Sequence, residues 1–112
     1  MIQVAKQLSP TKKFDGGKQV VTEGARAKLI KECGSEKAAM KQAIEYFEMH
    51  LSGNWGGMPP EDKAQNDAAL KANRIPGAML MSSYKTGEGP AVMWVITDCD
   101  RAHTTLLLPE EY

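Results

Sequence analysis

The chain has 112 residues, 42% of them hydrophobic, and 14 basic side chains balance 14 acidic ones. That length suits one domain with a real core and leaves no room for a second, while the charge balance supplies no net field to draw in nucleic acid or an anionic lipid surface. Cys33 and Cys99 lie far apart, with no C-x-x-C spacing, secretory leader or membrane-length apolar run near them, so a soluble cytoplasmic protein with two reduced thiols is expected.

Residues 1–18 begin with Ile2 and Val4, which suit a short edge strand, then lose periodicity through Pro10, Lys12, Lys13 and the Gly16-Gly17 pair. A mobile or loosely attached arm is expected there, with a single domain over 19–112. Gln19-Val20-Val21-Thr22 is a short β-branched strand ending on an N-cap residue. A helix follows over Glu23 to Glu32, placing Ala25, Leu29 and Ile30 on one side and stopping at Gly34. Ser35 caps a longer helix in which Met40, Ala43, Ile44, Phe47 and Leu51 form an apolar stripe, Lys37, Lys41, Glu45 and Glu48 face outward, and Gly53 closes the end. A third helix starts near Pro60, with Glu61 and Asp62 at its positive end, and runs to about Ala72, burying Ala64, Ala68, Ala69 and Leu70.

After Asn73 the texture changes to AMLMSSY, AVMWVIT and TTLLL, separated by KTGEGP and DCDRAH. These short alternating runs predict a three-stranded antiparallel meander. Met93, Val95 and Thr97 point one way and Val92, Trp94 and Ile96 the other, so both faces of the middle strand are expected to be covered. The fold class is α+β: about three helices on a C-terminal meander, with a short extra N-terminal strand.

Two segments concentrate chemistry. In HLSGNWGGMPPED, from His50 to Asp62, the glycines match neither phosphate-loop spacing and no strand precedes them, so turn formation explains them better than anion binding. Trp55 is left over, because an indole anchors either a core edge or a partner surface. The second segment, Asp98 to His103, holds two carboxylates, a thiol and an imidazole, but only His50 is available as another histidine to complete a metal shell. A hairpin turn with aspartates bonded to local backbone, and Arg101 paired with a neighbouring acid, accounts for it. Cys99 sits among acids that disfavour a thiolate, and Ser52, Ser82 and Ser83 lack a nucleophile motif. Met79, Met81 and Met93 read as core filling, and Lys12, Lys13 and Lys18 as a solvated tail.

The strings H-x-S-G-x-W-G, N-D-x-A-L-K and W-V-I-T-D-x-D-R-x-x-T-T-L-L-L-P-E-E-Y resemble a family of small bacterial proteins carried on plasmids, phages and other mobile elements. The likeness spans about residues 18–112 and is most specific over His50 to Asp67 and Trp94 to Tyr112. It matches at His50, Ser52, Gly53, Trp55, Gly56, Asp62, Asn66, Tyr84, Trp94, Thr97, Arg101, Thr104 and Thr105. The chain departs from the pattern at Asn54, where an acid is usual, at Met58-Pro59-Pro60 and at Asp98-Cys99. The resemblance implies a genetic setting rather than a mechanism.

The reading that follows is a non-catalytic binding protein, an accessory or anti-defence factor for a host protein or small ligand, with no cofactor or metal expected. Its binding candidates are Trp55, His50, Asp62, Asn66, Tyr84, Arg101 and Thr104. The alternatives are a small enzyme, metal-assisted or not, built from His50, Asp62, Asp98, Asp100 and Arg101, and a structural homodimer joined through an edge strand or the Met-rich sheet.

Overall fold

The computed structural model describes residues 2–4, 12–74, 76–85 and 92–112. Helix starts fall where the capping chemistry puts them. The Thr22 hydroxyl accepts the Ala25 N–H at the head of α1 (Glu23–Cys33), and Gly34, left-handed at φ +91°, ends it by donating to the Ile30 carbonyl. Ser35 accepts the Ala38 N–H to begin α2 (Glu36–Leu51).

Ala39, Ala43, Tyr46, Phe47, His50 and Leu51 are the buried positions of α2, while Met40 and Ile44 are only partly covered. The buried face is therefore rotated from the expected stripe toward Tyr46 and His50. Both carry polar atoms that find partners in the sheet, which removes the penalty that keeps such residues outside. Leu29, Val21, Met93, Val95 and Leu106 meet this face to form the core.

The third helix, α3 (Pro60–Ala72), has proline at its first position as expected, but its buried residue is Asn66. Ala64 and Ala68 are exposed and Ala69 and Leu70 only half-buried, which corrects the apolar face read from the alanines. Alanine makes a helix without supplying much area to bury, so α3 is held at the sheet margin by side-chain hydrogen bonds instead.

Five strands form one sheet: β1 (Ile2–Val4), β2 (Lys18–Val21), β3 (Leu80–Lys85), β4 (Val92–Thr97) and β5 (His103–Leu107), in the order β1-β2-β5-β4-β3. β3, β4 and β5 pair antiparallel in sequence, but β2 lies parallel to β5 and β1 antiparallel to β2. The sheet is thus mixed and wider than an isolated meander. Most of the KTGEGP link, residues 86–90, lies outside the described residues.

The inner face presents Gln19, Val21, Leu80, Ser82, Tyr84, Met93, Val95, Thr97, Thr104 and Leu106, all buried. On the outer face Ile96 is 5% exposed and Trp94 meets Tyr112 edge to face at 5.8 Å, while Val92 and Trp94 stay half-buried, so the outer face of β4 is covered only in part. Of the arm read from residues 1–18, Ile2–Val4 joins the sheet, residues 5–11 lie outside the described residues, and 12–17 pack on the core. There Lys13 N–H donates to the Leu51 carbonyl at 2.7 Å and Gly16 is buried against Thr104.

The C-terminus is fastened as well. In the closing 3-10 turn, Pro109–Glu111, the Glu111 carboxylate accepts from the Thr22 hydroxyl at 2.6 Å, the Leu108 N–H at 2.8 Å and the Gly24 N–H at 3.2 Å. It thereby fills the anion-favouring head of α1 with a residue of the same chain. Partial burial opposes its ionisation, but the bonds from Thr22, Leu108 and Gly24 outweigh that and hold its carboxyl below the ordinary range.

Candidate functional site

The His50 to Asp62 segment begins as a helix exit. Gly53, at φ +83°, donates its N–H to the His50 carbonyl, and the Asn54 side chain accepts the Gly56 N–H at 3.2 Å. The loop then adds itself to the rim of the sheet. Gly57 N–H donates to the Ser83 carbonyl at 2.7 Å and Ser83 N–H to the Trp55 carbonyl at 3.2 Å, around a parallel bridge between Gly56 and Ser83.

Trp55 is 3% exposed, and its indole N–H donates to Asp67 on α3 at 2.9 Å. It is a core-edge anchor rather than a surface probe. Tyr84 donates to the Asn54 carbonyl and stacks on Tyr46 at 5.1 Å, while Tyr46 donates to the Lys85 carbonyl at 3.0 Å. Burial pushes the Tyr84 phenol above its usual range. Asn66 donates to the Met81 carbonyl at 2.8 Å. Alternate residues of a strand turn their backbone groups to the same edge, so Asn66, the loop and Tyr46 together occupy the outward groups of Met81, Ser83 and Lys85. That leaves β3 little room to recruit another strand.

His50 lies at the centre of a second constellation. It is 0% exposed, walled by Phe14 at 5.6 Å and Trp55 at 5.4 Å in edge-to-face contact. Its Nδ1 lies 2.5 Å from Ser82 Oγ and its Nε2 2.9 Å from Thr97 Oγ1, which is in turn 2.7 Å from Thr104 Oγ1. Thr104 donates to the Gly16 carbonyl at 2.8 Å. A carbonyl only accepts, so that last bond fixes the direction of the series. Thr97 donates to Thr104, His50 donates through Nε2–H to Thr97, and Ser82 donates to Nδ1. Burial first, and the nearby positive charge of Arg101 second, lower the imidazole pKa to about 3. His50 is a neutral, fully bonded core group.

Arg101 takes the left-handed region at φ +61° in the turn between β4 and β5. Its Nη1 donates to the Ala78 carbonyl at 2.7 Å and the Asp98 carbonyl at 3.0 Å, so it binds backbone instead of pairing with an acid as the sequence suggested. The aspartates behave as expected of a hairpin: Asp100 accepts the Ala102 N–H at 2.9 Å and Asp98 accepts the Arg101 N–H through its carbonyl. Among the described residues no three His, Cys, Asp or Glu side chains come close enough to share a metal ion.

The structure thus joins His50 to Thr104 through Thr97, and gathers Trp55, Asn66 and Tyr84 around the β3 edge. Asp62 is half-buried in the first turn of α3 and joins neither group by any described hydrogen bond. Sequence reasoning passed over Phe14, Asp15 and Arg74 and set Lys13 aside as a solvated tail. These four line a cleft with Arg101. No spacing rule could have united residues from an N-terminal segment, a helix end and a hairpin. No family model, curated protein or solved structure matches the chain. Among the described residues no helix is long and apolar enough to cross a membrane.

Proposed function

We propose that this is a non-catalytic binding protein, an accessory or anti-defence factor in the mobile-element setting that the sequence resemblance implies. The observation that carries this reading is the state of His50. The enzyme alternative needs it as acid or base, yet both ring nitrogens are bonded inside the core and the pKa of about 3 keeps it neutral across the physiological range. A general base needs a pKa near the working pH and reach to a substrate proton; His50 offers neither. The acids of that alternative are engaged elsewhere: Asp98 and Asp100 shape their own hairpin and Asp62 stays in the first turn of α3.

Diethylpyrocarbonate, which acylates accessible neutral imidazole, provides the test. His103, with its side chain half exposed, should be modified rapidly in the folded protein, while His50 is modified only after unfolding. Modification of His50 at a rate close to that of His103, with folding intact by circular dichroism, would overturn the reading and return His50 to the catalytic candidates.

A further inference from the structure

Three segments distant in sequence meet around a cleft of about 230 Å³: the stretch carrying Lys13, Phe14 and Asp15, the C-terminal end of α3 with Asn73 and Arg74, and the hairpin that presents Arg101. We propose that this cleft binds a small oxyanion, a phosphorylated or polycarboxylate molecule, held by Lys13, Arg74 and Arg101. The inference rests on the non-catalytic reading for its purpose, and it specifies the ligand class that reading leaves open.

Charge decides the sign of the ligand. Three cationic residues line the cleft against one acidic residue, Asp15, whose carboxylate already accepts the Gly17 N–H at 2.9 Å. The end of α3 adds about half a negative charge, which Arg74, immediately beyond the Asn73 cap, is placed to offset. The balance remains positive. In a chain with no net charge, such a local excess is a feature of this site and not of the whole surface.

Arg101 is the preformed element. Its Nη1 is clamped by the Ala78 and Asp98 carbonyls, so the guanidinium plane is fixed before a ligand arrives. Among the described residues, those bonds leave Nε and Nη2 unengaged, and two such N–H donors match the paired oxygens of a phosphate or carboxylate. Lys13, whose side chain lies along Gly53, and Arg74 are both exposed, so each can swing toward an anion from the rim. Size sets the upper limit: about 230 Å³ is below the usual 300 to 1,000 Å³ of drug-sized pockets, so a compact ligand fits and a dinucleotide does not. Phe14 and Leu70 offer such a molecule a small apolar wall.

Phe14 also couples the cleft to the core, since its ring lies against His50 on the other side. The segment that forms one wall is fastened at Lys13 to Leu51 and at Gly16 to Thr104, so the cleft is built into the fold and not laid over it.

Calorimetric titration of the full chain with inorganic phosphate, pyrophosphate and citrate tests the proposal. The expected result is saturable one-to-one binding of at least one anion, weakened about tenfold by Arg74→Ala or Lys13→Ala, each of which removes one charge-assisted contact. Lys37→Ala, an exposed substitution on α2 that does not line the cleft, should leave binding unchanged. Because Arg101→Ala would also free the Ala78 and Asp98 carbonyls, the rim variants carry the test, with unchanged unfolding midpoints as the check on folding. Tighter binding of pyrophosphate than citrate assigns a phosphorylated ligand, and the reverse order a polycarboxylate. Absence of saturable binding by all three, or equal loss in Lys37→Ala, overturns the proposal. A failed titration leaves the diethylpyrocarbonate result standing, and a reactive His50 leaves the titration standing.

Discussion

His50→Gln should flatten the acid side of the stability curve. The wild-type imidazole has a pKa near 6.5 in the unfolded chain and about 3 in the folded one, lowered by burial and then by Arg101. Below pH 6.5 the unfolded state takes up a proton that the folded state refuses, so acid pulls the equilibrium toward unfolding; above 6.5 both states are neutral and the group has no effect. The slope approaches about 1.4 kcal/mol per pH unit, which integrates to roughly 2.7 kcal/mol two units below the unfolded pKa. That is a large fraction of the 5 to 15 kcal/mol typical of a domain. Glutamine keeps polar atoms in the cavity and does not titrate. Urea unfolding followed by tryptophan fluorescence, at about pH 7, 5.5 and 4.5, should therefore show wild type losing more stability than the variant on acidification. All other groups are common to the two proteins, so their effects cancel in the difference. Parallel losses in the two proteins would refute a neutral, buried His50.

Gly56→Ala should destabilise by about 1 to 3 kcal/mol, because a left-handed backbone must carry a side chain. Its Cβ would also fall 2.1 Å from the Ser83 carbonyl, at φ +67°. A lowered urea midpoint with faster amide exchange at Gly57 and Ser83 is the expected signature, and wild-type exchange there would contradict the docked loop. Glu111→Gln should loosen the C-terminal turn and move Tyr112 away from Trp94, altering tryptophan emission before global unfolding. Since the Glu111 carboxyl is depressed, its contribution is complete above the ordinary carboxylate range and lost as pH falls through its lowered value, so acid should reproduce the variant's emission in wild type. Identical emission from the two proteins at neutral pH would show that Glu111 does not hold the turn.

What could be read along the chain was local. Thr22, Gly34 and Ser35 act on backbone groups within a turn of themselves, so the limits of α1 and the start of α2 follow from residue type. The alternation in AVMWVIT likewise gives β4 and its inward residues. Partner identity was not local. Trp55 finds Asp67 twelve residues on, Arg101 finds carbonyls instead of acids, and His50 finds hydroxyls supplied by two strands. Each choice depends on how helix and sheet are juxtaposed, which periodicity does not encode. The parallel seam between β2 and β5 was invisible for the same reason, as was the cleft assembled from Lys13, Arg74 and Arg101.

That seam also orders the assembly of the molecule in time. Lys18 to Val21 pair with His103 to Leu106, and Thr22 is bound by Glu111, so strands from opposite ends of the sequence must meet before the sheet closes. On the ribosome, α1 and α2 are synthesised long before β5 exists, and Leu29 and Phe47 face outward from a helical pair with no sheet to receive them. Chains dominated by such distant pairings cross their folding barrier slowly. The nascent protein therefore passes through a sticky interval that ends only when its last strand emerges, and this is the stage at which chaperones or aggregation would compete for it.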